Sequence, residues 1–244
     1  MSVALVDGVA SPDSIGFAIA EALVAAGWEV QVTARPHRVD ACRERAEQLG
    51  VVLHAVDARL DSVVSSLDRL DALVHTRVHA PADVLGQPLL EVSSEAFGAV
   101  VQGSAWSLVE AVRATAPLLH ASAAGRVVTL TSPLSGRTSP AYHVAGIAKA
   151  ALEASVRYLA FELGRAGTTV NGVSFPLIAT TAARATVGPV ADRSVAHLAK
   201  RTPTGRATTA ADVAATVLWL ASPAAAQVTG QILTVDGGVG QLYF

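Results

Sequence analysis

A chain of 244 residues that is 51% hydrophobic and 16% charged has the make-up of a compact globule and excludes a disordered polyampholyte. Its formal net charge of −2 argues against nucleic acid or an anionic membrane surface as a partner. The single cysteine, Cys42, excludes an internal disulfide framework, and Met1-Ser2 runs straight into Val3-Ala4-Leu5-Val6 without a basic leader, so the expected location is the cytoplasm.

The first predicted strand, Val3 to Val6, leads into Asp7-Gly8-Val9-Ala10-Ser11-Pro12-Asp13-Ser14-Ile15-Gly16. Ser14 opens a predicted helix, Ile15 to Ala26. Gly8 permits a tight turn and Gly16 a close backbone approach. The free amides and dipole of the helix N-terminus attract an anion such as a pyrophosphate, and Ser14 either caps the helix or donates to a phosphate. A bland strand-to-helix turn fits the same residues, because the glycine spacing is not GxGxxG.

The second strand, Val30 to Thr33, ends in Ala34-Arg35. An acid here suits a ribose diol and an arginine suits a 2′-phosphate, so Arg35 either favours NADPH or is a solvated strand-end cation. In the following helix, Val39 to Leu49, Cys42 stands among Ala41, Arg43 and Glu44 and reads as a surface thiol. Predicted strands Val51 to Val56, followed by Asp57, and Ala72 to His75 come next, then a long helix from Ser94 to Leu119.

After the fifth strand, Val127 to Thr131, stands Ser132, and Tyr142 and Lys149 lie further along with six residues between them. That offset is about two helical turns, which puts both on one face of a helix over Ala145 to Leu163 extended back to the tyrosine. Hydride addition to a conjugated enone leaves an enolate oxygen. A tyrosine hydroxyl can hydrogen-bond or protonate it, while a nearby ammonium lowers the tyrosine pKa and can hold the nicotinamide ribose.

A sixth strand, Val170 to Val173, precedes Ala179 to Arg206, a long stretch rich in small residues that includes Gly188-Pro189 and Pro203 and reads as a substrate lid. The uncharged run Val213 to Val235 carries Ser222-Pro223 and Gly230 in its middle. It therefore reads as a helix, Ala210 to Ala221, and a strand, Ile232 to Val235, not as a membrane span. Non-alternating apolar strands separated by helices predict one α/β dinucleotide-binding domain over residues 1–244: a Rossmann-type, doubly wound parallel sheet of seven strands, with helices on both faces.

Gly8-Val9-Ala10-Ser11, two further residues and Ser14-Ile15-Gly16 resemble the phosphate loop of bacterial enoyl-acyl-carrier-protein reductases, a divergent branch of the short-chain dehydrogenase/reductase family. The likeness continues in the Tyr142/Lys149 spacing. Ketoreductases of the family have Tyr-x-x-x-Lys, but Ala145 holds that tyrosine position here. It extends through Ala150 to Tyr158 and into Val235-Asp236-Gly237-Gly238, and so covers nearly the whole chain. The resemblance implies NAD(P)H as cofactor and an acyl-carrier or coenzyme A enoyl thioester as substrate. It implies Gly8, Ser14, Ile15, Arg35, Asp57 (at the adenine), Lys149 and Ile178 (by backbone, at the carboxamide) around the cofactor, and Tyr142 with Lys149 at the reaction. Asp57 also reads as a helix cap. The two long helices and the segment ending in Gly238 imply a homotetramer.

Several positions depart from that pattern. Ser132 stands where many members have a second tyrosine; it resembles the carbonyl-polarising serine of ketoreductases, and either assists Tyr142 or satisfies a strand end. Val78 occupies a glycine position close to the cofactor, and Phe175-Pro176 precedes Leu177-Ile178-Ala179-Thr180 in place of Ala-Gly. His79 and Ala145 are expected in the substrate pocket. Two other readings therefore stand beside the enoyl reductase: an enzyme of the same superfamily that reduces, isomerises or cyclises another substrate, and a cofactor-less relative used for binding or assembly.

Overall fold

The computed structural model describes residues 1–57, 59–139, 142–188 and 190–241. Pro140 and Ala141 before Tyr142, and Pro189 in the predicted lid, lie outside the described residues. Seven parallel strands form one sheet in the order β3-β2-β1-β4-β5-β6-β7. They are β1 (Val3–Asp7), β2 (Glu29–Ala34), β3 (Val52–Ala55), β4 (Ala72–His75), β5 (Arg126–Thr131), β6 (Thr169–Ser174) and β7 (Ile232–Thr234). The order reverses between β1 and β4, which pair from Ala4↔Ala72 to Asp7↔His75, and the crevice outside their carboxyl ends is where such sheets bind ligands.

One face of the sheet is packed by α1 (Ile15–Ala25), α2 (Val39–Leu49) and α10 (Ala210–Ala221). Phe17, Ile19, Leu23 and Leu220 are fully buried there against Val6, Val32 and Val74. The other face is packed by α3 (Asp61–Val64), α6 (Ser107–Ala121) and α7 (His143–Gly164), with Leu108, Leu119, Leu152 and Val156 against Leu5, Leu73 and Val127. Each such side chain contributes about 1.5–3 kcal/mol of transfer free energy, so these two layers hold the strand ends in place.

Three features differ from the sequence expectations. The edge strands are not covered on both faces: Val52 in β3 is 54% exposed, and no residue of β7 is fully buried. Cys42 is a buried core residue, because Val39, Cys42, Ala46 and Leu49 recur at helical spacing and turn toward the sheet while their charged neighbours turn away. Burial pushes its thiol pKa up, the opposite of a reactive cysteine. The long helix is interrupted: α5 (Ser94–Val101) passes through a π-helical segment, Gln102–Trp106, into α6. The segment expected as a lid carries two helices, α8 (Thr181–Val187) and α9 (Val190–Arg201), joined by an Arg184–Asp192 ion pair at 2.9 Å. A short helix α4 (Ala82–Leu85) follows β4.

Candidate active site

The carboxyl ends of the central strands bring together most of the residues singled out from sequence. Gly8 follows β1 with φ +118°, and a Cβ there would meet Arg77 Cγ and Thr76 Oγ1 at 3.0 Å. Only glycine lets the chain pass at that point. Ser14 is the N-cap of α1 but its side chain makes no capping bond. Its Oγ is buried and without a partner among the described residues. No acidic residue stands in the first turn of α1, so the positive end of the helix is not neutralised from within. An orphaned hydroxyl, free helix amides and a glycine-lined turn fit an anionic cofactor phosphate.

Arg35 is exposed at the end of β2 and precedes a 3₁₀ turn over Pro36–Arg38. Asp57 is exposed as well, and it is not a helix cap: α3 starts at Asp61 with Leu60 before it. What ties Asp57 to the phosphate loop is Arg77, whose Nη1 donates to the Asp57 carbonyl at 3.4 Å and whose Nε donates to Asp7 Oδ1 at 2.7 Å. This buried ion pair under Gly8 escaped the sequence reading. The available signal was an acid and a base at the ends of two strands that must neighbour each other at the switch point. Desolvation raises the pKa of Asp7, against the pull of Arg77 and of the Thr33 hydroxyl, which donates at 2.7 Å.

Ser132 and Tyr142 come together at the end of β5. Ser132 caps the 3₁₀ turn Pro133–Ser135, accepting from Leu134 N at 3.3 Å, and its hydroxyl lies close enough to the Tyr142 phenol to pull its pKa down. Tyr142 is not within the helix, as the spacing suggested. It is the N-cap of α7, at φ −139° and ψ 10°, because the next ring takes over the first turn. His143 Nδ1 accepts from Val144 N at 2.8 Å and its Nε2 donates to the Gln87 carbonyl at 2.6 Å. Gly146 allows the close approach that seats α7 on this turn, since a Cβ there would lie 2.6 Å from the Leu134 carbonyl. Burial raises the Tyr142 pKa, and the neighbouring Ser132 hydroxyl works against that rise.

Lys149 lies in α7, 6% exposed, with Nζ donating to the Leu130 carbonyl at 2.8 Å. Burial pulls its pKa down to about 8, partly offset by Glu153. Its other two N–H groups have no partner among the described residues and can bind hydroxyls. Behind it, His75 is fully buried between the hydroxyls of Thr129 (3.1 Å) and Ser107 (3.0 Å), with its pKa lowered to about 3, so it stays neutral. Ile178 follows β6, and its carbonyl accepts from Thr180 N at 2.8 Å. Nearby, Asp13 of the phosphate loop accepts from Thr181 N (2.7 Å) and Thr181 Oγ1 (3.1 Å), joining the loop to the start of α8.

Val78, three residues after β4, is 49% exposed. Ala145 is buried in the first turn of α7, and His79 packs on Gly103 of the π-helical segment. Among the described residues there is no group of three metal-ligating side chains, and no helix is long and apolar enough to cross a membrane. Two hydroxyls after β5 and an ammonium held on Leu130 of the same strand are groups that can stabilise a developing oxyanion.

Comparison with known proteins gives a consistent result. A family model described as enoyl-(acyl carrier protein) reductase matches residues 8–240. The enoyl-acyl-carrier-protein reductase (NADH) of Nostoc sp. is 34% identical over 96% of this chain and 95% of its own length. That of Escherichia coli is 35% identical over 96% and 92%. Among solved structures, the Bacillus cereus enoyl-acyl carrier protein reductase with NADP+ and indole naphthyridinone superposes with a TM-score of 0.92 at 30% identity, covering 100% of this chain and 98% of that one.

Proposed function

This chain belongs to the enoyl-(acyl carrier protein) reductase family, and from that premise we propose that it reduces the carbon–carbon double bond of an enoyl thioester with NAD(P)H. The observation that carries the proposal is the placing of the Ser132 and Tyr142 hydroxyls together after β5, with buried Lys149 bonded to Leu130 of that strand and the orphaned Ser14 hydroxyl at the same sheet edge. A bound nicotinamide supplies the hydride. The chain's own residues do the rest: Tyr142, supported by Ser132, donates to the thioester oxygen as charge grows on it, and Lys149 holds ribose hydroxyls. Gly8, Ser14 and Ile15 receive the phosphates, Asp57 the adenine, and the Ile178 backbone the carboxamide. Loss of NAD(P)H absorbance with crotonyl thioesters of acyl carrier protein and coenzyme A is the test. Binding of cofactor without turnover of either would favour the second reading, another reaction on this fold, to which Val78 and Phe175-Pro176 point.

Three finer points belong to the same proposal. Arg35 argues for NADPH, whereas the relatives carry NADH in their names; competing titrations with the two cofactors decide between them. The segment 179–206 acts as a lid latched by Asp13. The chain is one cytoplasmic domain that forms a homotetramer, for which Ile147, Tyr158 (71% exposed) and Phe161 (81% exposed) supply an apolar stripe along α7. Light scattering at micromolar concentration tests the assembly, and a monomer would refute it.

A further inference from the structure

Tyr142 is the N-cap of α7, yet its side chain makes no capping bond, and no acidic residue stands in the first turn. Two contacts fix that turn instead. On one side Gly146 sits against the Leu134 carbonyl, and Gly146 N donates to the Tyr142 carbonyl at 2.7 Å. On the other side stands His143. Its Nδ1 accepts from Val144 N at 2.8 Å, one of the amides that a helix start leaves without a helical partner. Its Nε2 meets the Gln87 carbonyl at 2.6 Å, across 56 residues of sequence. A backbone N–H only donates and a carbonyl only accepts, so Nδ1 carries no proton and Nε2 carries one. Both ring nitrogens are thus engaged in a single tautomer.

Gln87 lies on the stretch that links α4 to the 3₁₀ turn Leu89–Glu91. Apolar packing brings this part of the chain to α7: Val144 and Ala148, one turn apart on the helix, form a buried cluster with Val84 of α4 and Val100 of α5. Residues 86–91 beyond it are exposed, and their backbone bonds are local, such as Gln87 N to the Val84 carbonyl and Glu91 N to the Pro88 carbonyl. Among the described residues, the bond from His143 is the one hydrogen bond that ties this stretch to an element distant in sequence. One imidazole therefore joins the first turn of α7 to the chain that crosses in front of it.

We propose that His143 is a positioning residue for Tyr142, fixing the turn from which the phenol projects by bonding the Val144 amide and the Gln87 carbonyl at once. The ring is carried by the residue next to the phenol, so fixing it fixes the peptide between them. Tyr142 itself lies outside helical geometry, at φ −139° and ψ 10°, and the helical bonds reach it only through its carbonyl. Its direction matters, because a misplacement of about 1 Å in a reacting constellation can cost on the order of 100-fold in rate. This role rests on the enoyl-thioester reading of the site.

The test follows reduction of crotonyl thioesters by the whole purified protein, with cofactor affinity read separately by fluorescence. Three variants divide the two bonds. His143→Phe keeps the ring shape and loses both. In His143→Asn the side-chain oxygen reaches as far as Nδ1, so only the Val144 bond is kept. In His143→Gln the amide nitrogen reaches as far as Nε2, so the Gln87 bond is kept. His143→Phe should lower kcat by about 10- to 100-fold while cofactor affinity holds. His143→Gln should regain most of that loss and His143→Asn little of it. In a Tyr142→Phe background His143→Phe should cost almost nothing further, because its effect runs through the phenol. Unimpaired turnover in His143→Phe, recovery in His143→Asn but not in His143→Gln, or an equal loss in the Tyr142→Phe background would each overturn the proposal and leave the reductase reading intact. If His143→Phe does not fold, the His143→Asn and His143→Gln enzymes decide alone. A wild type that reduces no crotonyl thioester overturns the reductase reading, and this role with it.

Discussion

The Lys149 ammonium reaches back from α7 to the Leu130 carbonyl at 2.8 Å, only two residues before Ser132. This bond ties the helix that begins after Tyr142 to the strand that ends before Ser132, so the three side chains are held as a unit. Their separate roles predict separate defects. Tyr142→Phe should lower kcat by on the order of 100-fold and leave cofactor affinity nearly unchanged, since it removes one donor to the oxyanion. Lys149→Ala should weaken cofactor binding. Ser132→Ala should cost less than Tyr142→Phe if it only supports the phenol, and as much if it binds the carbonyl itself. Steady-state kinetics with a cofactor titration reads all three, and a Tyr142→Phe enzyme with unaltered kcat would remove the tyrosine from the mechanism.

Lys149 also sets a pH dependence. Burial holds its pKa at about 8, below its ordinary 10.5. Between these values the unfolded chain binds more protons than the folded one, so stability rises with pH across this window, and the penalty is fully present below about pH 8. Activity should move the other way. As Lys149 loses its charge above about pH 8, kcat/KM for the cofactor should fall. Lys149→Arg, which stays charged, should shift that limb upward or remove it, and an unshifted limb in this variant would assign it to another group.

Much of this was legible because periodicity and turn chemistry report local structure. All seven strands are where non-alternating apolar runs predict them, with ends displaced by at most one residue, as fraying termini allow. The sequence could not show what tertiary packing decides. Cys42 looked exposed because its neighbours in sequence are charged, yet helical rotation turns it inward. Tyr142 has helical spacing to Lys149 but stands just outside the helix, because His143 takes over the first turn. The π-helical segment at Gln102–Trp106 has no marker in residue type. It holds Ser104 and is followed at once by Ser107, whose hydroxyls bond His79 N and the His75 ring across the fold. Ser14 sits where a capping serine is expected, and only the structure shows its hydroxyl left over.

The Asp7–Arg77 pair under Gly8 should behave as a buried ion pair. Arg77→Met leaves the Asp7 carboxylate, which is fully buried, without its cation, and should cost about 3–5 kcal/mol by chemical denaturation. Adding Asp7→Asn should recover a large part of that loss, because the charge that was stranded is gone. Additive losses in the two single variants and the double variant would mean that the pair does not act as a unit.

Ser14 allows a test in which structural and functional roles have opposite signs. A hydroxyl that caps a helix loses about 1 kcal/mol of stability when replaced by alanine. The Ser14 hydroxyl makes no such bond and is buried without a partner among the described residues, so removing it relieves an unmet desolvation cost. Ser14→Ala should therefore leave the cofactor-free protein as stable as the wild type or slightly more so. The same variant should bind NADH and NADPH more weakly by roughly 10-fold or more, because a hydrogen bond to a charged phosphate is worth about 1.5–3 kcal/mol. Thermal melts without cofactor and a fluorescence titration with it give the two signs independently. A variant that is less stable without cofactor but binds it normally would make Ser14 a packing residue of the α1 terminus and remove the phosphate reading of this loop.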